Sequence, residues 1–336
     1  MPWKGEQDPY KVWLSEIILQ QTRVEQGWDY YNRFISAFPT IQHLAKATDT
    51  KIFKLWEGLG YYTRCKNLIS TARFISKELN GKFPENYAGI LALKGVGPYT
   101  AAAIASFAFN LPHAVVDGNV YRVLARYFGN DLPIDSSAGK FLFSVLANEL
   151  LEKKLPGIFN QALMDFGAVV CKPKLPLCDI CPLKDGCTAK LKGLVGQLPV
   201  KSKSINKKTR WFYYLIIENN NKVYVRKRGK KDIWENLYEF ILIETPKAVS
   251  FKKLKTMDGY KNLIPDTGSQ KTVVSEHYCQ QLTHQTIWAQ FIIIKFSRSL
   301  TLPGYKPVSK RGLFRLPFPR LISRFLEKTT VDLLAK

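Results

Sequence analysis

Residues 93–101 read LKGVGPYTA, and the run that continues from them, AAAIASFAF (101–109), has the composition of a helix. The glycines at 95 and 97 let the backbone turn sharply and approach a ligand closely. Pro98 suits the first helical position, where its missing N–H costs nothing. The unpaired N–H groups that follow can hold an anion, with Gly97, Tyr99 and Thr100 as donors. On these residues alone, a plain helix start and a phosphate site both stay open.

The surrounding pattern is helical from Asp8 to about Lys190. Asp8 can cap, Pro9 suits the first turn, and Tyr10, Trp13, Leu14, Ile17, Ile18, Val24 and Trp28 recur at helical spacing. Further helices are predicted near 40–46, 50–58, 62–79, 87–92, 98–109, 117–128, 136–153 and 157–170, joined by short loops. Residues 191–209 are polar, basic and aperiodic and predict a linker. Beyond it the period becomes two. RWFYYLIIE (210–218), NNN and KVYVRKR (222–228) predict a hairpin, and EFILIE (239–244), TVVSEHYC (272–279) and IWAQFIIIKF (287–296) predict more strands. Helical patterns near 250–257 and 318–334 make this part α+β. The expected division is an all-α domain over 1–190, a basic linker over 191–209 and an α+β domain over 210–336.

A chain of 336 residues suits two domains. Its 50 Lys and Arg against 27 Asp and Glu leave a net charge of +23, the balance of a protein that meets a polyanion such as nucleic acid. No apolar run approaches the ~20 residues of a membrane span. The opening MPWKGEQDPY also lacks the apolar core of a signal peptide. A soluble, cytoplasmic chain with no membrane partner is expected.

Of six cysteines, Cys65 and Cys279 stand alone, while Cys171, Cys178, Cys181 and Cys187 are spaced C-x6-C-x2-C-x5-C. One short loop can wrap these four thiolates around a single centre, either zinc or an iron–sulfur cluster. Pro173, Pro176 and Pro182 keep the wrap from becoming helix, and Lys172, Lys174, Lys184 and Lys190 suit it to a phosphate backbone. Asp117, just ahead of a predicted helix, reads first as an N-cap. Glu16 reads first as a surface glutamate on a helix.

Taken together, the glycine hairpin, the Asp-Gly-Asn turn and the cysteine loop resemble the helix-hairpin-helix DNA glycosylases that carry a 4Fe-4S cluster. PYKVWLSEIILQQTRV (9–24), LWEGLGYYTR (55–64), KGVGPYTA (94–101) and VDGNVYRVLAR (116–126) resemble the MutY-type adenine glycosylases within that superfamily. The resemblance runs along almost the whole chain. It implies an all-α helix-hairpin-helix glycosylase domain holding one 4Fe-4S cluster on Cys171, Cys178, Cys181 and Cys187, followed by an α+β nudix-like domain. The implied substrate is double-stranded DNA with adenine opposite 8-oxoguanine or guanine, and the implied enzyme is a monomer. Endonuclease III shares the hairpin and the cysteine spacing, but carries at residue 99 a lysine that forms an imine with the sugar and cuts the strand. Tyr99 cannot form an imine, so a monofunctional glycosylase is expected. A glycosylase/lyase of the endonuclease III type and a non-catalytic DNA-structure binder remain the alternatives.

The resemblance also assigns roles. The adenosine is extruded into a pocket, with Gln21 and Tyr61 as wedges and Gln20 and Leu59 beside them. Glu16 protonates adenine at N7, and Asp117 stabilises the oxocarbenium-like sugar. Asn119 and Tyr99 hold that sugar and its phosphate, and Gly95, Gly97 and Thr100 line the hairpin. Trp3 and Lys4 correspond to a pocket wall, with lysine where an arginine is usual. KVYVRKRGKKDIWENLYEF (222–240) resembles the start of a nudix domain, yet no dense run of glutamates follows to hold magnesium, so a binder is expected there. An aromatic-Ser-His loop that reads 8-oxoguanine corresponds to Leu282, Thr283 and His284. A threonine hydroxyl can replace that of serine, whereas Leu282 cannot stack as an aromatic would.

Overall fold

The first helical pattern breaks where its apolar spacing gives no warning. Asp8 caps α1 (Pro9–Leu19), accepting from the Tyr10 N–H at 2.9 Å. The helix stops at Gln20, Gln21 turns left-handed at φ 55°, and α2 (Val24–Ala37) restarts the chain. Val24 and Trp28 thus belong to a second helix. The open carbonyls at the end of α1 are taken by Arg64, whose Nη1 donates to Ile17 and Ile18 at 2.9 Å and to Gln20 at 2.6 Å.

The computed structural model describes residues 4–202, 207–230, 232–264, 271–296 and 301–334. They form two units: residues 1–47 with 63–204, and residues 48–62 with 205–336. In the first, α1 and α2 are joined by α3 (Ile41–Lys46). The second takes α4 (Asp49–Trp56), and α5 (Tyr62–Glu78) belongs to the first unit in all but its opening residue. Then follow α6 (Tyr87–Leu91), α7 (Pro98–Phe109), α8 (Gly118–Phe128), α9 (Ser137–Leu150), α10 (Pro156–Val169) and α11 (Thr188–Leu191). The alanines of α7 are buried from Ala101 to Ala105, since small side chains let neighbouring helices close around them. A Cβ at Gly167 would lie 2.7 Å from the Cβ of Asn119, so this glycine lets α10 close on α8.

Two expectations change here. The stretch 191–209 is no free tether over its first half. Leu198 is buried and its carbonyl accepts from Arg126 at 3.0 Å, Val200 accepts from the Ile134 N–H at 3.1 Å, and the Ser202 N–H donates to Asp135 at 3.0 Å. Residues 48–62, expected with the all-α domain, cluster with the second unit instead. Lys54 donates to Glu57 at 2.6 Å and to the Leu316 carbonyl at 3.2 Å, and Ser323 donates to Glu57.

The second unit is built on β1 (Lys208–Asn219), β2 (Lys222–Lys227), β3 (Tyr238–Glu239) and β4 (Ile241–Thr245). After α12 (Phe251–Lys255) and α13 (Asp258–Lys261) come β5 (Thr272–Gln281), β6 (Gln285–Phe296), β7 (Lys306–Ser309), α14 (Lys310–Leu313) and α15 (Arg320–Leu334). The sheet runs β3-β2-β1-β6-β5, with β4 on β1 and β7 on β2; β1 and β6 are parallel. Asn220 and Asn221, both left-handed, make the two-residue turn whose twist matches a hairpin. The single strand expected at 239–244 is split at Phe240, because β3 pairs with β2 while β4 pairs with β1. Phe325 of α15 stacks on Phe291 with ring centroids 4.0 Å apart. Among the described residues, no helix is long and apolar enough to cross a membrane.

Candidate active site

Three helices of the first unit bring Glu16, Tyr99, Asp117 and Asn119 to the wall of one cavity of about 1010 Å3. Glu16 lies on α1 between Trp13 and Ile17 and is only 6 % exposed. Burial pushes its carboxyl up to about 7, with Asp117 adding to the shift and a hydrogen bond from Tyr99 opposing it. Burial, with the charges of Glu16 and Asp117, drives the Tyr99 phenol well above its usual range, so it stays a neutral donor.

Asp117 is the N-cap that the sequence predicts, and it also lines the cavity. As N-cap of α8, its Oδ1 accepts from the N–H groups of Asn119 and Val120 at 2.8 Å each. Its Oδ2 accepts from Asn119 Nδ2 at 2.7 Å. Burial raises its pKa, and these three hydrogen bonds hold the shift back.

Arg122, which sequence reasoning missed, braces this corner. Its buried guanidinium donates to Asn119 Oδ1 at 2.8 Å, to the Gly167 carbonyl at 2.6 Å and to the Cys171 carbonyl at 2.7 Å. One turn later Arg126 reaches the Lys172 carbonyl at 2.8 Å and Cys171 Sγ at 3.4 Å. An arginine on the buried stripe of α8 is the one signal that could have singled these out. Gln161 and Asp165 of α10 also line the cavity and were missed. Gln161 donates to Asp165 at 3.1 Å, and Lys4 pairs with Asp165 at 2.5 Å. Trp3 lies outside the described residues.

At the hairpin, Gly95 is left-handed at φ 80°, and a Cβ there would meet the Asn67 side chain at 2.6 Å. Gly97 caps α7 with open space around its α-carbon. The Thr100 side chain is buried, and its hydroxyl accepts from Gln20 at 3.1 Å. Gln21 is exposed.

Leu59 and Tyr61 belong to the second unit. Leu59 is buried, whereas Tyr61 is 45 % exposed in a left-handed conformation, its hydroxyl bonded to that of Thr283. Leu282, Thr283 and His284 form the β5–β6 turn, closed by Leu282 N–H to Gln285 at 2.8 Å. Thr283 and His284 are exposed, and Leu282 is half-buried.

Cys171, Cys178, Cys181 and Cys187 are all half-buried. Burial raises the Cys178 thiol, and the other three sulfurs, close enough to act on it electrostatically, raise it further. Among the described residues, no three His, Cys, Asp or Glu side chains gather into a single-ion site.

Residues 14–138 match the model of the HhH-GPD superfamily of base excision DNA repair proteins. The adenine DNA glycosylase of Buchnera aphidicola subsp. Baizongia pistaciae is 41 % identical over 245 residues, 71 % of this chain and 68 % of that one. That of Buchnera aphidicola subsp. Schizaphis graminum is 34 % identical over 312 residues, covering 88 % and 83 %. Among solved structures, a thermostable thymine-DNA glycosylase superposes with a TM-score of 0.53 at 32 % identity, over 57 % of this chain and 88 % of the other.

Proposed function

The chain belongs to the adenine DNA glycosylases, base excision repair enzymes that hydrolyse an N-glycosidic bond, and we propose that it removes adenine opposite 8-oxoguanine or guanine through Glu16 and Asp117. The observation that carries this reading is the pair of carboxyls in one cavity with Tyr99 hydrogen-bonded to one of them. Extruding adenosine into that cavity costs a few kcal/mol, less at a mispair. Gln21 of the first unit, exposed and left-handed, is a wedge that fills the gap in the stack, and Tyr61, likewise exposed and left-handed, is the wedge of the second unit.

Cleavage moves electron density onto the base and leaves positive charge on the sugar, so the two carboxyls need opposite protonation states. Glu16, buried enough to keep its proton near neutrality, delivers it to adenine N7. Asp117, held by three hydrogen bonds that favour its charged form, faces the oxocarbenium-like sugar. Asn119 fixes the orientation of Asp117, and the N–H groups of Gly97, Tyr99 and Thr100 hold a phosphate. With a phenol at residue 99, no imine forms and the strand stays intact.

The second unit, a nudix-like fold, serves as the reader of the lesion. Asp232, Glu239 and Glu244 are each tied to an arginine, which leaves them unsuited to hold magnesium. Thr283 and His284 offer a hydroxyl and an imidazole to 8-oxoguanine, and Leu282 adds no stacking surface.

The cysteine loop supports one 4Fe-4S cluster: its C-x6-C-x2-C-x5-C spacing lets one loop supply four thiolates, the other three sulfurs act on Cys178, and Arg126 donates to Cys171 Sγ. Cys171, Cys178, Cys181 and Cys187 would hold it, and the bound cluster would fix the fold of the loop that carries Lys172, Lys174 and Lys184. These basic residues then meet the backbone of double-stranded DNA.

The test is to incubate the protein with duplexes bearing 8-oxoguanine:A, G:A or an oxidised pyrimidine, with and without alkali. Adenine release from the first two, with strand scission only after alkali, is expected. Scission without alkali, or attack on the pyrimidine, would move the enzyme to the lyase branch.

A further inference from the structure

We propose that the groove between β5 and α15 is a second DNA-backbone site, taking phosphates of the lesion strand beside the 282–284 turn. The proposal rests on reading that turn as the lesion reader. The groove encloses about 610 Å3 along the open edge of the sheet. Its helical wall carries Arg320, Arg324 and Lys328, spaced four residues apart and therefore on one face of α15. Its two carboxylates are already engaged: Glu327 pairs with Arg320 at 2.5 Å, and Glu276 pairs with Lys328. Arg324 has no carboxylate partner among the described residues, and its Nη1 donates to the Cys279 carbonyl at 3.3 Å.

Both features favour a phosphate backbone over a peptide. An extended peptide would add to the β5 edge through that edge's free backbone groups, and Arg324 occupies the carbonyl at Cys279. Protein interfaces also need aromatic or aliphatic anchors, and the aromatic ring in this wall, Tyr278, is buried against Phe325. Arginine and lysine side chains are the common phosphate partners. Position fits as well. Cys279 precedes Leu282 by three strand residues, about 10 Å at ~3.4 Å each. On B-form DNA that is an advance of roughly three base pairs along the helix axis at ~3.4 Å each.

The test is the slope of log Kd against log salt, over roughly 50 to 200 mM, on an 8-oxoguanine:A duplex. The triple variant Arg320→Gln, Arg324→Gln, Lys328→Gln should lower the slope by about 0.9 for each phosphate no longer neutralised, about 1 in all if Arg324 alone is free to neutralise one and more if the ion pairs of Arg320 and Lys328 open onto the backbone. The triple variant Lys252→Gln, Lys253→Gln, Lys255→Gln, on the exposed lysines of α12, removes the same charge and should leave the slope as it is. An equal fall in both variants would reduce the effect to net charge and overturn the proposal, as would no fall in either. Unchanged duplex binding with loss of polyglutamate binding would make the groove a peptide site instead. A Thr283→Val, His284→Ala variant should lose discrimination between 8-oxoguanine:A and G:A while keeping the slope, so failure of the reader and failure of the groove give different results.

Discussion

Glu16 is held in a state that its environment makes costly to ionise, and that cost has two measurable consequences. In the folded chain its carboxyl titrates near 7, against 4.5 unfolded. Below 4.5 both states are protonated and the burial is harmless. Between about 4.5 and 7 the unfolded state has shed its proton while the folded state still holds it, so stability falls across that window and levels off above it. Glu16→Gln should therefore match the wild type below about pH 4.5 and exceed it at pH 8, by up to roughly 3 kcal/mol in urea unfolding. The second consequence is kinetic. Single-turnover adenine release should rise with pH as Asp117 ionises and fall above about 7 as Glu16 loses its proton. A rate flat across pH 7 would remove Glu16 as the acid. By themselves Asp117 and Glu16 read as an N-cap and a surface glutamate, and only the family resemblance paired them; the cap at Asp117 is there, while Glu16 is buried and shares a cavity wall with it. Arg122 was not legible in the sequence, because its partners at 167 and 171 lie more than forty residues away.

At the scale of elements, α8 is the strut of the first unit. Its first turn is capped by Asp117, and Arg122 and Arg126 carry its buried face to the carbonyls of the cysteine loop. Arg122→Gln leaves several of those acceptors without a donor, at roughly 1–3 kcal/mol each. It should unfold at lower urea, and its adenine release should slow by at least about tenfold as Asn119 loses its brace. Unchanged kinetics in a folded variant would detach Arg122 from the site. The helix starts at Asp8 and Asp117 were readable from capping residues. The break at Gln20 was not, since it depends on Arg64, whose three bonds to the end of α1 no local pattern records.

Across the whole molecule, the change of hydrophobic period marked the passage from helices to sheet, yet the division into units did not follow it. The helix expected near 50–58 is there as Asp49–Trp56, but the partners of Glu57 and Lys54 sit beyond residue 310. The same grouping brings the Tyr61 hydroxyl to Thr283. Tyr61→Phe or Thr283→Val should each lower the preference for 8-oxoguanine:A over G:A by about 1 kcal/mol, roughly fivefold, in competition assays. The purified protein should carry roughly four irons with broad visible absorption; stoichiometric colourless zinc would overturn the cluster assignment. The measurement that bears most directly on the central claim is single-turnover release of free adenine from an 8-oxoguanine:A duplex by the wild type, Glu16→Gln and Asp117→Asn. The two-carboxyl mechanism predicts release by the wild type and a fall of at least about a hundredfold in each variant, whereas undiminished release by either variant would contradict it.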